Sequence, residues 1–155
     1  KFNILKMVTL PERMIVLKVK TTWTGGRSFE AVGDSGYPVH MDATEAYGGL
    51  GKGATPTEML LASLAGCIGI DVTMILRHHL DQIDKLEIET NGVRKEEAPK
   101  GFTAIVVTFS IDGDIDSKKV WRAIQLGNEK YCSVSDSLKA NITYQVILNG
   151  EETTA

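Results

Sequence analysis

From Gly53 to Leu80 the chain reads GATPTEMLLASLAGCIGIDVTMILRHHL, with apolar residues on nearly every helical face rather than along one stripe. This pattern predicts one long core helix, buried on all sides. Its start is signalled by Thr55 as N-cap, Pro56 at the first helical position and Glu58 three residues after the cap, a capping box with a proline start. Gly66 and Gly69 each cost about 1 kcal/mol against alanine inside a helix, so they predict that another backbone or a ligand comes close on either side of Cys67. Asp71 breaks the apolar run well short of the roughly 20 residues that a bilayer requires, which argues against a membrane span.

Around this helix the periodicity changes to that of strands. Met14 to Trp23 alternates and is rich in Val, Ile and Thr; Thr24-Gly25-Gly26-Arg27 breaks it, and Phe29–Val32 and Tyr37–Met41 flank an Asp34-Ser35-Gly36 turn. Ala46 to Gly53 is a glycine-rich approach to the helix and reads as a flexible lead-in. Further on, Leu86, Ile88 and Thr90 alternate in one strand and Phe102–Ile111 forms another, joined as a hairpin by the charged Arg94 to Lys100 stretch. Ser117 to Tyr131 has helical character, Ser133 or Ser135 can cap a short helix just past Cys132, and Asn141–Leu148 closes the pattern as a strand.

At 155 residues, 43% of them hydrophobic, the chain suits one domain with a sizeable core. The expected division is an extension of no assigned function at residues 1–13 and a single domain at 14–155. A net charge of −3 and the lack of basic clusters interleaved with aromatics argue against a nucleic-acid partner. No secretory pattern opens the sequence, so the expected location is cytoplasmic. Two cysteines in a reducing compartment are more often buried or redox-active thiols than a structural bridge.

Three suggestive motifs fail on inspection. Lys52 is followed by Gly53 rather than Ser or Thr, so the glycine-rich stretch is not a phosphate loop. Asp112-Gly113-Asp114-Ile115-Asp116 opens like a calcium loop, but Ser117 and Ala123 stand where Gly and Glu are required, leaving a turn that feeds a helix cap. His78 and His79 fall at the end of the long helix, with His78 roughly 16 Å along the axis from Cys67, too far to share a metal ion within that helix. No cofactor or metal is therefore expected.

The run Gly53-Ala-Thr-Pro-Thr-Glu-Met-Leu-Leu-Ala-Ser-Leu-Ala-Gly-Cys67-Ile-Gly-Ile-Asp-Val, followed by Glu129-Lys-Tyr-Cys132-Ser-Val-Ser, resembles the OsmC/Ohr family of osmotically induced and organic hydroperoxide resistance proteins. The resemblance extends from about Trp23 to Leu148. It implies an OsmC-like α+β fold, with antiparallel sheets wrapped around long central helices in an intertwined homodimer whose active sites draw on both chains. It also implies thiol-based reduction of organic hydroperoxides: Cys67 attacks the peroxide, its sulfenic acid condenses with Cys132, and an external dithiol reopens the disulfide.

A thiolate is the nucleophile in such chemistry, and a nearby cation is needed to favour it. Thr24-Gly25-Gly26-Arg27 resembles the segment that supplies this arginine in organic hydroperoxide resistance proteins, which makes Arg27 the candidate. Glu58 resembles the glutamate that orients the arginine, although Thr57 intervenes between it and the proline and turns it about 100° around the helix. Glu58 thus reads equally as a capping residue. Asp71, one helical turn after Cys67, would disfavour a thiolate unless it pointed away or were paired. Two other readings remain open: a noncatalytic binder of an apolar ligand in the dimer groove, and a hydrolase or transferase with Cys67 as nucleophile, which lacks a histidine in position to act as base.

Overall fold

The computed structural model describes residues 16–155. The expected extension at 1–13 and the first residues of the strand expected from Met14 lie outside them. The chain divides into two compact units, one ending at Pro56 and the other running from Thr57 to Ala155.

In the first unit, β1 (Val19–Gly25), β2 (Ser28–Gly33) and β3 (Pro38–Met41) form an antiparallel sheet in that order. The Gly25-Gly26 pair makes the first turn with φ of +113° and +56°, conformations that side chains disfavour. Arg27 closes it, and Trp23 Nε1 donates to the Gly26 carbonyl at 3.1 Å. The glycine-rich stretch that follows is not the flexible lead-in expected from its composition. Asp42, only 1% exposed, accepts backbone N–H groups from Ala43 and Leu50 at 2.8 Å and from Lys52 at 3.1 Å. One carboxylate thus ties down ten residues of loop. Gly49 and Gly53 are required there, because a Cβ on either would collide with the backbone carbonyl of Ala43 or His40.

The second unit opens with α1 (Pro56–Ile75), followed by β4 (Ile83–Arg94) and β5 (Phe102–Gly113), which pair antiparallel as the expected hairpin. Asp116 caps α2 (Ser117–Leu126) by accepting from Lys118 N at 2.9 Å, which bears out the turn-into-helix reading of the aspartate run. A π-helical turn, Gly127–Tyr131, then leads to the short α3 (Ser133–Ser137) and to β6 (Asn141–Leu148). A last strand, β7 (Glu151–Thr153), went unread in the sequence. It pairs with β6 across Asn149-Gly150, whose φ values of 51° and 83° suit a primed hairpin turn.

The sheet order is β4-β5-β6-β7, and β5 pairs with β6 in parallel. This corrects the expectation of purely antiparallel sheets. The reason is the connection: the helical segment between β5 and β6 is long enough for a crossover, which a parallel pair demands and a hairpin does not. Alternate residues of β5, Ile105, Val107, Phe109 and Ile111, are buried in one core with Leu64, Ile68, Val72 and Leu76 of the α1 region and Val120, Ala123 and Ile124 of α2. Each such side chain contributes about 1.5–3 kcal/mol on burial.

One face of α1, and not its whole circumference, is buried. Leu64, Ile68, Gly69 and Val72 face the core, whereas Ala62, Gly66, Ile70 and Met74, each four residues from the next, form an exposed stripe with Ile70 62% and Met74 64% accessible. One sheet and one neighbouring helix cover only one side of a helical cylinder, so the all-round apolar pattern is half satisfied within this chain. By length and apolar composition alone α1 could cross a bilayer despite Asp71, as core helices of soluble proteins also can. The two glycines differ in use: Gly69 lets Ile88 approach, its missing Cβ falling 2.8 Å from Ile88 Cδ1, while no other element among the described residues comes within 4 Å of the corresponding point on Gly66.

Candidate thiol site

Cys67 sits midway along α1, beside the core residue Ile68, and Asp71 lies one turn later on the same side. Cys132 comes to it from the turn after α2, which packs directly against α1. At the end of α2 the helix widens, and Cys132 N donates to the Gly127 carbonyl at 2.8 Å, five residues back, which closes the π turn. Gly127 eases this approach: a Cβ there would lie 2.8 Å from Ile68 Cδ1 and 3.4 Å from Asp71 Cβ, so even a methyl would have to push the Ile68 δ-methyl aside, and a larger side chain would hold the turn off α1.

Cys132 is itself the cap of α3, its Sγ accepting from Ser135 N at 3.5 Å while Ser135 Oγ donates to its carbonyl at 2.9 Å. The expected serine caps are thereby replaced by a sulfur cap. The result is a compact cluster: Cys67 Sγ, Cys132 Sγ and a carboxylate oxygen of Asp71 all lie within 4.8 Å of one another. Both cysteines are free thiols, Cys132 buried and Cys67 partly accessible. A cavity of about 290 Å³ borders the cluster, lined by Tyr131, Cys132 and Ser133 together with the charged Glu129, Lys130 and Asp136.

Burial pushes the Cys67 thiol above its ordinary range, and the neighbouring Cys132 and the Asp71 carboxylate push it the same way, against a hydrogen bond from the Val134 amide that lowers it. No cation is among these groups. Asp71 neither points away nor finds a partner for both oxygens, since its buried Oδ2 has no hydrogen-bond partner among the described residues. Tyr144, on β6, also belongs to the neighbourhood and was missed in the sequence. Burial raises its phenol to about 12, helped by the two cysteines, and its hydroxyl donates to Asn128 Oδ1 at 2.8 Å. Its alternation within β6 was the available signal.

Of the four site residues expected from sequence, Cys67 and Cys132 come together. Arg27 belongs to the first unit, exposed at the β1–β2 turn, where its Nε passes 3.2 Å from the point a Gly48 Cβ would occupy. Glu58 is exposed in the first turn of α1, about 13 Å before Cys67 along the axis at 1.5 Å per residue. His78 and His79 lie past the helix end at Ile75 and take no part in the cluster.

Residues 49–147 match the family model of the OsmC-like proteins. The chain is similar to protein YhfA of Escherichia coli K12, with 35% identity over 136 residues that cover 84% of this chain and 98% of the relative. A hypothetical protein from Aquifex aeolicus VF5 superposes with a TM-score of 0.76 at 25% identity, over 88% of this chain and 98% of its own. The organic hydroperoxide resistance protein OhrB of Bacillus subtilis shares the fold, with a TM-score of 0.55, 23% identity and coverage of 87% and 98%.

Proposed function

Starting from the fact that this chain belongs to the OsmC-like protein family, we propose that it is a thiol peroxidase that reduces organic hydroperoxides. The observation that carries the reading is the approach of two free sulfurs, from elements 65 residues apart (132 − 67), to within 4.8 Å. Small movements bring sulfurs at that separation to the roughly 2.05 Å of a disulfide.

The Cys67 thiolate attacks the terminal peroxide oxygen, the O–O bond breaks, and the departing alkoxide takes a proton to leave as the alcohol. The resulting sulfenic acid loses its hydroxyl as water when Cys132 attacks, which forms the disulfide. An external dithiol then exchanges with that disulfide, returning both thiols and leaving oxidised itself. Because burial and Asp71 disfavour the thiolate, the reaction needs a cation. On the resemblance alone, that role is assigned to Arg27, with Glu58 as its orienting carboxylate.

The exposed Ala62-Gly66-Ile70-Met74 stripe supports the homodimer part of the reading, since an apolar helix face of this length is stabilised by a second copy. Free thiols at the site suit the cytoplasm. The shallow, open apolar surface beside that stripe, lined by Gly66, Ile70, Leu86 and Ile88, favours a second reading, a noncatalytic binder of an apolar ligand.

The deciding experiment treats the reduced protein with cumene hydroperoxide and follows both thiols by mass spectrometry. The peroxidase reading expects one intramolecular disulfide in the native chain, a trapped sulfenic acid on Cys67 in Cys132→Ser after a single turnover, and no reaction in Cys67→Ser. Native protein that keeps both thiols under excess hydroperoxide would leave the binding reading standing.

A further inference from the structure

The same cluster has a property that peroxide reduction does not use. We propose that Cys67, Asp71 and Cys132 together form a site for a thiophilic divalent cation of the zinc class, held by two sulfurs and one carboxylate oxygen. No spacing motif announces it, because the ligands are one i,i+4 pair on α1 and one residue that only the π turn brings near.

The geometry is close to what such an ion requires. With bonds of about 2.3 Å to sulfur and 2.0–2.2 Å to oxygen, tetrahedral ligand atoms stand roughly 3.5–3.8 Å apart. The three atoms here are within 4.8 Å of one another, so each pair needs to close by roughly 1.3 Å at most. Two of the three ligands share one face of a rigid helix, the i,i+4 relationship that lets helical side chains hold one ion.

Chemistry points the same way. The Asp71 carboxylate carries a buried oxygen, Oδ2, with no hydrogen-bond partner among the described residues, an expensive condition that a cation held by this carboxylate relieves. Sulfur ligands exclude magnesium and calcium, which prefer oxygen, and select zinc or its softer relatives. Each ligating sulfur gives up its proton, so affinity rises with pH. Three protein ligands leave a fourth position for water or an exchangeable group, the pattern of an open site rather than a closed structural one. A bound ion occupies the sulfur electron pairs that would otherwise meet an oxidant, so metal and thiol-directed reagents compete for the same atoms.

The test uses the reduced full chain without oxygen and does not depend on hydroperoxide chemistry. Titration with Co²⁺ is followed by the sulfur-to-cobalt charge-transfer absorption, then Zn²⁺ is added to displace it, and iodoacetamide labelling of each cysteine is read by mass spectrometry. The expected result is one ion per chain, a charge-transfer band that Zn²⁺ abolishes, and protection of both cysteines from alkylation. Cys67→Ser and Cys132→Ser should each diminish the band, while Asp71→Asn keeps it and weakens binding at least about tenfold. Circular dichroism establishes that each variant is folded. Absence of the band in the native chain, an undiminished band in folded Cys132→Ser, or unchanged affinity in folded Asp71→Asn would overturn the site. If metal binds and hydroperoxide does not react, the metal site stands and the peroxidase reading falls.

Discussion

Gly127 lies so close to Ile68 that a Cβ on it would be 2.8 Å from the Ile68 δ-methyl. This contact sets the π turn against α1 and so fixes how far Cys132 stands from Cys67. Gly127→Ala asks only a terminal methyl to shift and should leave the rate of disulfide closure within a few-fold of native. Gly127→Leu cannot be absorbed in that way. It should slow closure at least about tenfold while first-step oxidation of Cys67 changes little, as stopped-flow measurement and site-resolved mass spectrometry would show; overpacking of this kind costs about 1–3 kcal/mol. Equal closure rates in the two variants would mean that the turn does not control the sulfur separation.

The long helix, the β4–β5 hairpin, the capped α2 and the last long strand were legible because each is announced by local chemistry: apolar period, alternation, or an Asp placed to cap. The parallel β5–β6 pair was not legible, since register depends on where the crossover returns and not on the strands themselves. The turn into β7 does leave a mark, the Asn149-Gly150 dipeptide that suits a primed hairpin turn. The cysteine pair was found through its two motifs, but Tyr144 and the sulfur cap were not, because a phenol in an alternating strand and a cysteine before Ser-Val-Ser look like ordinary positions. Asp42 was invisible for a related reason: its partners are backbone amides up to ten residues away, and amides leave no mark in a sequence.

Arg27→Ala tests the assignment of the activating cation. If that guanidinium stabilises the thiolate and the departing oxygen, its loss should slow Cys67 oxidation by cumene hydroperoxide about 10²–10³-fold, the usual effect of removing one preorganised donor. Lys should restore only part of the rate, for want of the planar fork. Glu58→Gln should follow with a smaller loss if it orients the arginine, and should change only thermal stability if it is a helix-start residue. An unchanged rate in Arg27→Ala places the cation elsewhere.

The Cys67 thiol titrates above the ordinary cysteine range, with burial as the leading cause and Cys132 and Asp71 adding to it. A raised thiol value means that the reactive thiolate accumulates only as pH rises, so the rate of Cys67 alkylation should still be climbing above pH ~8.5. Asp71→Asn removes a negative charge that opposes ionisation, so it should shift the profile to lower pH and speed alkylation at neutrality. It should not bring the profile down to that of an exposed cysteine, since burial remains. A profile that does not move would show that the carboxylate has no electrostatic hold on the sulfur.

Asp42 is expected to contribute acid-sensitive stability to the first unit. The amides of Lys52 and Leu50, and then that of Ala43, lower its carboxyl from an ordinary value of 3.8, burial working in the opposite sense. A carboxyl that is lowered on folding contributes stability that is present above its unfolded value and is lost as pH falls through the folded one. The expected consequence is a thermal midpoint, monitored by Trp23 fluorescence in a Trp121→Phe background, that holds down to about pH 4 and then declines as Asp42 protonates. In Asp42→Asn the charge is gone at every pH, so the midpoint should be lower at neutrality and the acid decline attributable to this group should vanish. The loop from Ala43 to Lys52 should then exchange its Leu50 and Lys52 amides faster in Asp42→Asn, because a neutral amide oxygen is a weaker acceptor than a carboxylate. Equal exchange in the two proteins would mean that the glycines, through their backbone conformations, hold this loop without the aspartate.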